Sequence, residues 1–229
     1  MTNYCHDFRP SLYTSALLRV IQTQCSVRKL NNVLDIGVGS GVLLAALGQL
    51  GAKNLWGVDI NPNALIAAEQ LISQHFGHIS RHLLEGDMWT PISSKQHFDV
   101  VIANLPHFPA HVEALDRPKT WTGGEGRKMI NRFIEGLPNR LMPDGVALIT
   151  HHDLVGLQKT LDCIRSYGLT CETVARWTVF ETPDRMNAVS RQTIVEGGES
   201  LQYIGGYAFM EARILAIKLD SVAHSANVT

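Results

Sequence analysis

The stretch Asn32-Val33-Leu34-Asp35-Ile36-Gly37-Val38-Gly39-Ser40-Gly41 runs from a short apolar segment into three glycines at alternate positions. Val33, Leu34 and Ile36 read as a buried strand. The glycines let the backbone turn tightly and let a ligand approach the N-terminus of the following helix, which the pattern predicts from Gly41 to Leu50. The spacing is GxGxG, and an acid, Asp35, stands before the first glycine. A carboxylate there repels a pyrophosphate but suits a cationic amino group, so the turn reads against a dinucleotide. Alone, the pattern is shared by nucleotide-binding proteins and plain tight turns.

Outward from this turn, strands and helices alternate. Before it, Leu12, Ala16, Leu17, Val20 and Ile21 have helical spacing within Ser11 to Gln24. After it, a strand from Asn54 to Ile60 carries Asp59 at its end, and Pro62 opens a helix through Gln74. Arg81 to Glu85 is a third strand, leading into Gly86-Asp87-Met88. His97 to Ala103 is a fourth, ending at Asn104-Leu105-Pro106-His107. A helix is predicted from Glu125 to Leu141, a strand from Val146 to Thr150, a helix from Leu154 to Tyr167, and strands at Cys171 to Phe180 and Ala208 to Leu219. This order predicts an α/β fold, a mostly parallel sheet with helices on both faces. It reads as one domain over residues 1–229, with residues 1–30 as an N-terminal helical cap and 182–206 as a loop insertion. Leu105 to Gly124 and Thr182 to Gly206 lack regular patterning, and loops of that length are usually functional or mobile.

Composition narrows the function. Of 229 residues, 45% are apolar and 18% charged, with a formal net charge of −1. So little clustered positive charge argues against gripping nucleic-acid phosphates, and the hydrophobicity argues against disorder. The four cysteines (Cys5, Cys25, Cys163, Cys171) have neither CxxC spacing nor an interleaved His pattern. No metal site and no disulfide framework is expected, and a reduced, cytoplasmic setting fits. Met1 to Arg9 lacks an apolar signal core, and no uncharged run reaches the roughly 18 residues of a membrane span. No membrane association is expected.

Asp59 at the end of the second strand can accept both hydroxyls of a ribose, and an acid at Asp87 can accept the exocyclic amine of adenine. With Asn104, these residues fall at the carboxyl ends of strands, where open parallel sheets bind ligands. The four segments VLDIGVGSG (33–41), GVDINPNAL (57–65), EGDMW (85–89) and FDVVIANLPH (98–107) together resemble the motifs of class I S-adenosylmethionine-dependent methyltransferases. The resemblance spans Val33 to Leu219 and implies the seven-stranded Rossmann-like fold of that family, with S-adenosylmethionine as cofactor. It implies a cofactor-binding set of Asp35, Gly37, Gly39, Gly41, Asp59, Ile60, Asp87, Met88 and Asn104. Within the set, Asp35, Gly37 and Gly39 would face the methionyl part, Asp59 the ribose, and Asp87 with Met88 the adenine.

Within the family, the fourth motif is similar to that of NPPY enzymes, among them the glutamine-N5 methyltransferases of release factors. Thr122-Gly123-Gly124-Glu125-Gly126 and Leu141-Met142-Pro143-Asp144-Gly145 support this likeness. Here the motif reads Asn104-Leu105-Pro106-His107, so the first Pro and the Tyr are absent. Asn104, His107 and Tyr13 are the candidate catalytic residues: Asn104 as acceptor of a hydrogen bond from the target nitrogen, His107 as stacking partner or general base. Phe108, Trp121, Tyr203 and Tyr207 join Tyr13 as candidate walls of the acceptor pocket. Arg127, Lys128 and Arg132 read as a solvated helix face.

About 32 residues precede the first motif, with no separate recognition domain expected. Together with the altered fourth motif, this favours methyl transfer to nitrogen on a small molecule, in small-molecule biosynthesis, with a homodimer possible. The alternative is a cyclase like azetidine-2-carboxylate synthase, in which the cofactor's own amine displaces methylthioadenosine. A third reading is a protein or release-factor glutamine N-methyltransferase, and another is a cofactor-binding partner without chemistry.

Overall fold

A computed structural model of the chain describes residues 9–106, 108–109 and 126–220. Five strands run parallel: β1 (Asn32–Ile36), β2 (Asn54–Asp59), β3 (Ser80–Glu85), β4 (Phe98–Ala103) and β5 (Leu141–His152). β6 (Leu169–Glu181) and β8 (Tyr207–Leu219) complete the order β3-β2-β1-β4-β5-β8-β6, with β8 antiparallel to both its neighbours. A short β7 (Gln202–Ile204) pairs with the start of β8. The expected Rossmann-like methyltransferase sheet is therefore the observed one.

Register explains where a ligand can bind. Ile36 pairs with Val58 on one side and Ala103 on the other. The next residue on each strand is Gly37, Asp59 or Asn104, so three chemically distinctive positions come level at one end. The chain runs from β1 to β2 on one side and returns to β4 on the other, which makes this the topological switch point of the sheet.

Side chains alternate across the sheet, and both faces are buried. Val33, Leu55, Val100, Val146 and Leu148 pack with α1 (Leu12–Gln24), α2 (Val42–Gln49) and α3 (Pro62–Phe76), which contribute Leu17, Ile21, Leu44, Leu47 and Ile72. Leu34, Ile36, Val101, Ala147 and Ile149 face the other way, onto Ile130, Phe133, Ile134 and Ile164 of α4 (Arg127–Gly136) and α5 (Leu157–Ser166). Two buried faces need apolar runs, and much of the scarcity of charge follows from that.

Local chemistry sets the helix starts. Ser11 caps α1 by accepting the Thr14 N–H, and Thr14 returns the bond from its side chain to the Ser11 N–H. Asn61 caps α3 by accepting the Asn63 N–H, with Pro62 in the first turn. Gly41 opens α2 at φ +77°, and a Cβ there would lie 2.9 Å from Cα of Ala68 on α3. Only glycine lets α2 and α3 approach so closely.

Three sequence boundaries shift. α4 ends at Gly136 rather than Leu141, because Pro138 has no N–H to continue a helix, and Leu141 already pairs with Phe98 in β5. The helix expected from Leu154 is a 3-10 turn, Asp153–Val155, broken at Gly156 (φ +79°) before α5. Residues 182–206 are not an unstructured loop. They hold α6 (Pro183–Asn187), capped by Thr182, and α7 (Arg191–Gly197), capped by Ser190, before β7. Met186, Ala188 and Val189 pack with Phe108, Leu154, Val179, Ala208, Met210 and Ala212 in a third core cluster. Among the described residues, no helix is long and apolar enough to cross a membrane.

Candidate active site

The glycine turn wraps the end of β2. The Gly37 and Val38 N–H groups both donate to the Val58 carbonyl, at 2.8 and 3.0 Å. Gly37, Gly39 and Gly41 all have positive φ, at 77°, 49° and 77°. The Asp59 carboxylate accepts the Gly39 N–H at 3.0 Å on one oxygen and the Asn61 N–H at 2.9 Å on the other. It therefore ties the glycine turn to the start of α3 while each oxygen keeps further accepting capacity.

Asp35 lies beneath the turn, 1% exposed, and its Oδ1 has no hydrogen-bond partner among the described residues. Burial pushes its carboxyl well above the usual carboxylate range, and the neighbouring charge of Asp59 pushes in the same direction. An unsatisfied buried carboxylate of this kind calls for a cationic donor. The α-amino group of an S-adenosylmethionine is one, so the residues present fit that cofactor.

The adenine side differs in detail from the sequence reading. Both oxygens of Asp87 are engaged by Arg132 of α4, at 3.1 Å from Nη1 and 2.9 Å from Nη2. Arg132 is thus no idle member of a solvated face, and Arg127 likewise donates to the Val155 and Gly156 carbonyls at 2.7 and 3.2 Å. Met88 takes a left-handed backbone, φ 57°, and its side chain is buried in the second core cluster rather than open to a ring. Trp89 is anchored through its Nε1–H to the Arg132 carbonyl, at 3.0 Å. The apolar side chain that remains open at this end is Ile60, 69% exposed.

On the acceptor side, Asn104 is gripped at both ends of its amide. Its Nδ2 donates to Thr14 Oγ1 at 3.2 Å, and its Oδ1 accepts the Thr150 hydroxyl at 3.1 Å. Thr150 and His152 share one face of β5, while His151 points the other way, 3.0 Å from Thr160 Oγ1. The His152 and Phe108 rings pack in a T shape with centroids 5.7 Å apart, and the Arg185 guanidinium lies 4.2 Å from the centre of the same phenyl. His107 and Trp121 fall outside the described residues.

Tyr13 stands beside Thr14 in sequence but packs edge-on to Trp177, with centroids 5.5 Å apart. Burial, with Glu181 close by, raises its phenol pKa, so Tyr13 stays protonated. Tyr203 and Tyr207 are exposed, and Tyr203 lines a cavity with Met186, Val189 and Ile194. The structure therefore gathers Asp35, Gly37, Gly39, Asp59 and Asn104 at one end of the sheet. Thr14 and Thr150 join them without having been singled out from sequence, and Arg132 joins them in place of its expected role on a solvated face. Of the two threonines, Thr14 left a trace, as the fourth residue of a Ser-x-x-Thr helix start.

A family model described as ribosomal protein L11 methyltransferase matches residues 13–108. A Methanocaldococcus jannaschii protein, provisionally named a protein N5-glutamine methyltransferase, is 34% identical over 155 residues, or 66% of this chain and 77% of that protein. A release factor glutamine methyltransferase from Geobacter sulfurreducens is 32% identical over 127 residues, covering 51% of this chain and 44% of the relative, so the chain spans less than half of that enzyme. Among solved structures, the E. cuniculi Mtq2–Trm112 complex matches with TM-score 0.60 and 18% identity, over 93% of this chain and 98% of the matched one, which speaks for the fold alone.

These relatives are named for methylating proteins, and the expectation of a small-molecule acceptor in biosynthesis is corrected accordingly. The cyclase alternative falls with it. The error came from taking the altered fourth motif and the short stretch before β1 as signs of a small substrate. The altered motif does not fix acceptor size, since the two side-chain bonds that hold Asn104 come from Thr14 and Thr150, outside the motif. With a relative matched along three quarters of its length and a turn that fits the cofactor, the chain belongs to the class I S-adenosylmethionine-dependent methyltransferase family.

Proposed function

We propose that the chain methylates the side-chain amide nitrogen of a glutamine in a protein substrate. The observation that carries this reading is the doubly held Asn104 amide, level with the glycine turn at the end of β4. When bound, S-adenosylmethionine supplies a methyl group on a sulfonium, open to in-line displacement. Asp35 would receive the cofactor's ammonium and Asp59 its ribose hydroxyls, and Ile60 would offer an apolar contact to its adenine. Gly37 and Gly39 keep the path to the turn open.

An amide nitrogen is a weak nucleophile because its lone pair is delocalised into the carbonyl. Asn104 Oδ1, with one lone pair taken by Thr150, uses the other to accept an N–H of the target amide. That bond fixes the nitrogen and keeps its remaining face turned toward the methyl. Pro106 stiffens the turn, since its φ is locked.

The test offers purified release factor and ribosomal protein L11 as separate substrates, with labelled cofactor, and locates the methyl by peptide mass spectrometry. The expected result is one methyl on a glutamine of one substrate, lost in Asn104→Ala. Cofactor binding without transfer to glutamine in either protein overturns the assignment.

A further inference from the structure

We infer that Glu181 and Arg185 are positioning residues for the acceptor turn, acting on Asn104–Pro106 through Phe108. This rests on the glutamine-methyltransferase reading for its kinetic arm, and on geometry alone for the rest.

β5 lines both ends of the acceptor segment with one face: Thr150 meets Asn104, and His152 meets Phe108. The opposite sides of these two residues are closed by different elements. Thr14 of α1 holds Asn104, and Arg185 of α6 covers Phe108 at 4.2 Å. A guanidinium over a phenyl face is an attractive contact whose strength grows when water is excluded, and Phe108 is 6% exposed.

Arg185 does not find that place by itself. Its Nη1 is 2.9 Å from Glu181 Oε2, and Glu181 is buried at the last position of β6. A buried carboxylate demands a cation, so the sheet end dictates where the guanidinium lies. Glu181 also faces His152, whose Nε2 is 3.9 Å from Oε1, while His152 Nδ1 accepts the Leu154 N–H at 3.3 Å. With Nδ1 accepting, the ring proton is on Nε2, toward the carboxylate. Glu181 thus holds Arg185, which covers Phe108, and stands near His152, which packs against the same ring.

Phe108 is two residues beyond Pro106, so fixing Phe108 limits where Pro106 and Asn104 can lie. Misplacing a reacting amide by about 1 Å can cost two orders of magnitude in rate. A clamp remote from the methyl can therefore govern turnover while leaving the cofactor turn, on the far side of Asn104, untouched.

The experiment compares wild type with Arg185→Gln, Arg185→Lys, Glu181→Gln and, as control, the exposed Arg191→Gln of α7. Three readouts are taken: kcat and KM on the glutamine-bearing protein, cofactor Kd by calorimetry, and hydrogen exchange of the amides at 104 and 105. Arg185→Gln is expected to lower kcat about tenfold or more, with cofactor Kd unchanged within about twofold. It should also speed exchange at 104 and 105 by about tenfold. Glu181→Gln should follow it, Arg185→Lys should recover part of both losses, and Arg191→Gln should change neither. Unchanged kcat and exchange in Arg185→Gln overturns the inference. So does a parallel loss of cofactor affinity, which marks general destabilisation. If wild type transfers no methyl to glutamine, the function reading fails, and the exchange comparison still decides the positioning role.

Discussion

At the scale of single residues, the Asp35 carboxyl is the least comfortable group in the cofactor turn. Its pKa is raised in the folded protein by burial and then by Asp59. Above the ordinary carboxylate range the unfolded chain has released this proton while the native state still holds it. The native state therefore binds more protons, and stability falls as pH rises through that window. Asp35→Asn removes the effect. The cofactor-free variant should melt a few degrees higher than wild type at pH 8 and converge with it at acid pH, as thermal unfolding at several pH values would show. The same change should weaken cofactor binding by about tenfold, since a charge-assisted hydrogen bond to the ammonium is lost. For Asp59→Ala the loss should be roughly 1–3 kcal/mol of cofactor binding, read by calorimetry; unchanged affinity would remove Asp59 from the site. Asp35, Asp59 and Asn104 were legible in the sequence because each follows an apolar run, and a parallel sheet brings strand ends together. Thr150 and Arg185 were not, because each acts on a residue distant in the chain and neither has a local pattern that singles it out; the helix-start pattern of Thr14 says nothing of its bond to Asn104.

At the scale of elements, the seam between α2 and α3 depends on the absence of one side chain. A methyl at position 41 would meet the Ala68 backbone at 2.9 Å, and the residue also needs φ +77°. Gly41→Ala is expected to destabilise the fold by about 1–3 kcal/mol, from overpacking and left-handed backbone strain together. A fall in the denaturant midpoint at constant slope would verify it. The five parallel strands were visible as apolar runs ending in turn residues, and their order follows from alternation with helices. α6 and α7 escaped because each has too few residues for helical periodicity to show. Thr182-Pro183 and Ser190-Arg191 did carry cap signals, which a search for amphipathic stripes passes over. β5 was cut short because Pro143 and Gly145 interrupt its apolar run, yet the strand absorbs them through a shift in register between Phe98 and Val100.

For the whole molecule, cofactor binding and folding are linked quantities. At a concentration one hundred times its Kd, S-adenosylmethionine should stabilise the fold by about 2.7 kcal/mol. Thermal shift in wild type, and a smaller shift in Asp59→Ala at the same concentration, would check this. The linkage reaches the acceptor side by a different route. Thr14 Oγ1 accepts the Ser11 N–H that starts α1 and the Asn104 Nδ2–H that faces the acceptor turn. One oxygen thus belongs to a helix cap and to a site about 90 residues further along the chain. Swinging the Asn104 amide end for end would oblige both threonine hydroxyls to reverse their roles, Thr14 to donate and Thr150 to accept. The frame that holds Asn104 is therefore assembled as the first turn of α1 winds, before any substrate arrives, and part of the acceptor site is inherited from folding.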